Sequence, residues 1–150
     1  MKTLKELRNI IANGEPEEKL TAAMEITNFM LPYNEEYNLL LDLEASATIE
    51  HFAITHPEKG GIDHGYRLEL EALQTSIMAR KSFLDMQLRA FQNSEIGIDA
   101  PDQDVVDNVK KLTDKVAKIV MKNQAIKGII ASLAEIATLI NNTMERLKPA

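Results

Sequence analysis

From Val105 to Leu147 apolar residues recur at alternating steps of four and three: Val109, Leu112, Val116, Ile119, then Asn123, then Ile126, Ile130, Leu133, Ala137, Ile140 and Met144. An α-helix turns once every 3.6 residues, so a 3.5-residue spacing keeps one face apolar and winds it left-handedly around neighbouring helices. A half-buried strand needs a period of two, which this segment lacks. The pattern predicts a long C-terminal coiled-coil-like helix, a rod of about 65 Å at 1.5 Å per residue. Val106, Val120, Ile129, Ile136 and Leu139 widen its apolar face, which suits a bundle of three or four helices better than a two-stranded zipper. Asn123 interrupts the seam at a core position. Such an asparagine either meets a polar group of another helix in the chain or pairs with its equivalent in a second copy and sets the register.

The rest of the chain reads as helix too. Leu4, Leu7 and Ile11 share a face in residues 2–13, and Asn13-Gly14 is a stop signal. Pro16 suits a first helical turn, with Glu17 and Glu18 at the positive end of the helix dipole. That helix reaches Leu31, where Pro32 interrupts the hydrogen-bond ladder. A third segment, capped by Asn34, ends near His56; alternatively, the two make one rod kinked at Pro32. A fourth begins near Asp63 and carries Tyr66, Leu70, Leu73, Ile77, Leu84, Leu88 and Phe91 on one stripe, until turn formers at 93–103 end it. The predicted fold is all-α: a single domain, residues 1–150, forming an elongated antiparallel helical bundle. It has three long helices, one kinked near Pro32, and a short N-terminal helix.

Composition agrees with a globular helical protein. Hydrophobic residues make up 45% and charged residues 27%, while Gly (6) and Pro (5) are too few for a many-stranded β fold. Cysteine is absent, which excludes disulfides, a thiol nucleophile and thiolate-held metal. The start reads as an amphipathic helix rather than a signal peptide, and no run of about 18 apolar residues spans a membrane. A cytoplasmic protein without membrane association is expected. The net charge of -6 conceals an asymmetry: residues 15–58 hold ten acids and one base, Lys19, whereas residues 105–150 hold four acids and eight bases.

Two groups of residues invite a functional reading. Lys111, Lys115, Lys118 and Lys122 form a stripe beside the seam. The absence of arginine and aromatic residues there, on an acidic chain, argues against nucleic acid. A better match is the acidic edge of Glu35, Glu36, Asp42, Glu44 and Glu50, facing the lysines across a bundle or a dimer and setting orientation. The other is "THPEKGG", residues 55–61. His56 followed by Lys59 and Gly60 resembles the signature of histidine phosphotransfer domains, which implies a helical bundle whose exposed histidine carries a phosphoryl group. Here Pro57 disfavours helical geometry at His56, Glu58 stands where that pattern has an apolar residue, and two glycines make a turn. His56 therefore reads first as a helix end.

His51 and His56 are five apart, off the spacing of four that aligns two ligands on a helix, and paired Glu-x-x-His motifs are absent. No metal and no cofactor is expected. No phosphate loop, nucleophile motif or paired-carboxylate spacing suggests an enzyme. The expected function is protein–protein interaction by an adaptor, chaperone-like or inhibitor protein, with architecture similar to the small acidic helical chaperones of flagellar and type III export. An assembly component such as a phage or particle protein is the alternative, and a phosphotransfer module using His56 ranks third. The expected interaction residues are Leu112, Val116, Ile119, Asn123, Ile126, Ile130, Leu133 and Ile140, with the lysine stripe beside them. The partner is another protein or a second copy, most simply in a dimer.

Overall fold

The structure, a computed structural model, describes residues 1–145. Among these, 81% are helical. Five α-helices follow in order: α1 (Leu4–Asn13), α2 (Pro16–Thr55), α3 (His64–Gln92), α4 (Gln103–Ala117) and α5 (Ile126–Glu145). Buried side chains from all five join in one cluster.

Local chemistry sets most boundaries. The Thr3 hydroxyl accepts a hydrogen bond from the Glu6 amide (3.1 Å), and the Asp63 carboxylate accepts one from the Tyr66 amide (3.0 Å), so α1 and α3 start on side-chain caps. The Gly14 amide closes α1 on the Ile10 carbonyl. Pro16 opens α2, where a missing amide hydrogen costs nothing. Pro32, by contrast, lies inside α2, and the helix runs through it unbroken for 40 residues. Asn34 therefore caps nothing. An internal proline costs about 3 kcal/mol, and the offset is packing: Pro32 is itself buried, beside Phe29 and Tyr33. The Phe29 ring lies 5.4 Å from Phe91 of α3, edge-on.

A long seam joins α2 to α3. Phe29, Tyr33, Glu36, Leu40, Leu43 and Ala47 line the inner face of α2 at steps of four and three. Tyr66, Leu70, Leu73, Ile77, Arg80 and Leu84 do the same on α3. Later residues of α2 meet earlier ones of α3: Glu36 reaches Arg80, while Glu50 reaches Tyr66. One position in each seam is thus ionic. Glu36 is fully buried and accepts three short hydrogen bonds, at 2.8–2.9 Å, from Arg80 Nε and one terminal nitrogen. Within the chain, the acidic edge forms no ion pair with the lysine stripe among the described residues. Glu36 and Glu44 pair with Arg80 and Lys81 of α3, Glu50 accepts from the Tyr66 hydroxyl, and Glu35 reaches α4 only through the Thr113 hydroxyl.

The largest correction concerns the C-terminal rod. Residues 105–145 form two helices, separated at Lys118–Ala125 by an extended Lys122 and a 3₁₀ turn at Asn123–Ala125. α5 packs back against α4, and touches α2 and α3. The reason is a mismatch of phase. On α4 the buried positions are Val109, Thr113 and Val116, and that frame continues as Val120, Asn123 and Lys127, all exposed. On α5 the buried frame is Ile126, Ile129, Leu133, Ile136 and Ile140, which runs backwards through Lys122, Ile119 and Lys115. A straight helix would have driven asparagine and lysine inward to keep either frame. Folding back instead buries four isoleucines completely, each worth about 1.5–3 kcal/mol. Asn123 is exposed in the turn, not a register device. Leu147, the last heptad position, lies outside the described residues.

The Tyr33 hydroxyl is buried and has no hydrogen-bond partner among the described residues. Burial, the dominant effect, holds the Tyr33 phenol well above its ordinary range, and burial with the Glu50 hydrogen bond does the same for Tyr66. A phenol raised on folding contributes stability that is complete below the unfolded value of about 10 and lost as pH climbs past it. The thermal midpoint should accordingly hold to about pH 10 and then fall, with tyrosinate absorbance at 295 nm rising together with unfolding. Tyr33→Phe removes an unsatisfied buried hydroxyl, should raise stability at neutral pH by about 1 kcal/mol, and should soften the alkaline loss. A destabilised Tyr33→Phe would show that the hydroxyl is satisfied.

Candidate interaction groove between α4 and α5

The hairpin of α4 and α5 leaves an open groove of about 860 Å³. From α4 come Asn108, Lys111, Leu112 and Lys115; from α5 come Ala134, Glu135, Thr138 and Leu139. The groove exists because the inner faces of the two helices are turned to the shared core. Val109, Val116, Ile129 and Ile136 fill that core, and the adjoining flanks are left to form the walls. Leu112 and Leu139 are half-buried and supply its apolar surface. Lys111 and Lys115 are exposed on one edge, and neither pairs with an acid among the described residues.

The expected interaction residues divide sharply. Lys111, Leu112 and Lys115 come together in the groove. Val116, Ile126, Leu133 and Ile140 are buried in the core, with Ile119 and Ile130 half-buried against it. Lys118, Lys122 and Asn123 are exposed at the turn, away from the groove lining. Ala134 and Thr138 escaped the sequence reading, and Leu139 entered it only as a residue that widens the apolar face. Their signal was the three-and-four spacing of small and apolar residues beside the heptad, visible only once α4 and α5 are separate helices.

His56 ends α2. Its amide donates to the Phe52 carbonyl (3.1 Å), and its Nδ1 lies 3.1 Å from that same oxygen and 3.2 Å from the Thr55 hydroxyl. The imidazole stacks on the Phe52 ring at 4.3 Å. This is helix-terminus packing, where Nδ1 is engaged by the last turn. His51 lies 3.2 Å from Glu71 of α3. Among the described residues no three histidine, aspartate or glutamate side chains gather to hold a metal ion, and no helix is long and apolar enough to cross a membrane.

No protein-family model matches the chain, and neither a curated protein nor a solved structure matches it. The class defined by the coordinates is an all-α protein of five mutually packed helices.

Proposed function

We propose that this chain is a non-catalytic protein–protein interaction protein, an adaptor, chaperone-like or inhibitor protein, that receives a partner segment in the α4–α5 groove. The observation that carries the reading is the groove itself: an apolar floor around Leu112 and Leu139, edged on the α4 side by Lys111 and Lys115, which form no ion pair among the described residues, with Glu135 the one acid on the α5 wall. Apolar anchors give affinity and a charged rim selects partner and orientation. The chemistry favours a short amphipathic helix carrying acids beside its apolar face, in the helix-in-groove mode. The dimer expected from the C-terminal seam loses its support, because Val116, Ile126, Leu133 and Ile140 are used within the chain. A partner protein is the reading retained, and an assembly component is the alternative.

The test uses a fluorescein-labelled amphipathic peptide of leucine and glutamate. It should bind the full chain, and Lys111→Gln with Lys115→Gln should weaken it at least tenfold and flatten its salt dependence. Unchanged binding in that variant would discard the groove. Sedimentation of the chain alone as a large homopolymer would favour the assembly alternative.

A further inference from the structure

The long helix α2 has a second apolar face that no other described residue covers. Its other faces pack on α1, α3 and α4. On the outer side Leu20, Met24, Leu31, Leu41, Ile49 and Phe52 are 38–71% exposed. Taking 100° per residue, these six fall in a strip about 100° wide, directly opposite the buried frame of Phe29, Tyr33, Leu40 and Ala47. Between them lie Thr27, Asn34, Asn38 and Ala45, all exposed and none charged. From Leu20 to Phe52 the strip is about 48 Å long at 1.5 Å per residue. Scattered surface leucines need no explanation, but six large apolar residues on one face of one helix, with Asp42 the single charge at its edge, do. A helix apolar on two opposite faces is normally covered on both.

The edges of the strip say what kind of occupant fits. α2 carries eight acids and one base, Lys19. Glu17, Glu35 and Asp42 follow one margin of the strip, at about 40–60° from its centre. None of them pairs with a cation among the described residues, although Glu35 accepts from the Thr113 hydroxyl of α4 (3.5 Å). A second copy laid strip to strip would set its own Glu17, Glu35 and Asp42 against a surface that already carries these acids. Lys111 and Lys115 of α4 are on a different surface, around the groove.

We infer that the outer face of α2 is a docking surface for a basic amphipathic helix of a partner protein, whose apolar side covers Leu20 to Phe52 and whose lysines or arginines meet Glu17, Glu35 and Asp42. This surface is independent of the α4–α5 groove and of opposite charge, so the chain joins two partners of different chemistry.

The probe is a labelled 28-residue leucine–lysine amphipathic peptide, titrated into the full chain and followed by anisotropy. Expected is saturable binding that falls at least tenfold in Leu31→Gln with Leu41→Gln and is unaffected by Lys111→Gln with Lys115→Gln. The glutamines leave net charge untouched and sit on exposed positions, so an unchanged thermal midpoint verifies the fold. Binding that survives the glutamine pair is charge attraction alone and overturns the proposal. So does a chain that sediments at twice 16.8 kDa and becomes monomeric in the glutamine pair, because the occupant is then a second copy. Loss of the leucine–glutamate peptide in the lysine variant concerns only the groove, so the two surfaces fail separately.

Discussion

Glu36→Ala should destabilise the protein by about 3–5 kcal/mol, and Arg80→Ala by a similar amount, because each leaves a charge uncompensated inside the α2–α3 seam. Glu36 has no solvent exposure and Arg80 only 12% of its side chain, while their contacts are short and doubled. Against a typical total of about 5–15 kcal/mol, either variant approaches complete unfolding at 37 °C. The paired replacement Glu36→Leu with Arg80→Met should behave differently, recovering the wild-type stability in urea unfolding or exceeding it by about 1–4 kcal/mol. The ion pair then serves register: in seams that repeat every seven residues, a slipped alignment of α2 on α3 would bury Glu36 and Arg80 apart. The paired variant should therefore show broader amide resonances if alignment is lost. A single-site loss below about 1 kcal/mol would mean that Glu36 is wet.

The second large effect separates the folded-back hairpin from the rod. Ile129→Ala and Ile136→Ala should each cost about 2–5 kcal/mol in urea unfolding, as fully buried isoleucines do. Ile130→Ala, at a half-buried site, should cost less, and Asn123→Ala should stay within about 0.5 kcal/mol of wild type. A continuous heptad rod demands the reverse order, with Ile130 in the seam and Ile129 beside it. Equal losses at 129 and 130, or a large response at Asn123, would count against the hairpin.

Two kinds of feature along this chain were legible to different degrees. Helical class was plain from apolar spacing, and so were the ends with chemical signals: Gly14 closing α1, Pro16 opening α2, Asp63 opening α3 and His56 closing α2. These follow from interactions within a few residues, which the sequence contains in full. Pro32 was visible as a disturbance, but whether it breaks a helix depends on packing of Phe29 and Tyr33 against α3, which lies far along the chain. Arg80 and Glu36 occupy heptad positions that the spacing itself marks, yet only the pairing of the two helices makes charges acceptable there.

The groove was half legible. Lys111, Leu112 and Lys115 were singled out as a charged stripe beside an apolar seam, while Leu139 and Ala134 joined them only when α5 turned back. No glycine or proline in residues 118–125 announces that turn. The heptad from Val105 to Leu147 is real as a count of residues, but two inner frames overlap in it. Sequence alone determined that most of residues 105–145 are helical and amphipathic. The tertiary structure decided which frame faces inward on each side of Lys118–Ala125, because burying Ile126, Ile129, Ile136 and Ile140 against α4 and its neighbours outweighs the few backbone hydrogen bonds given up at the break.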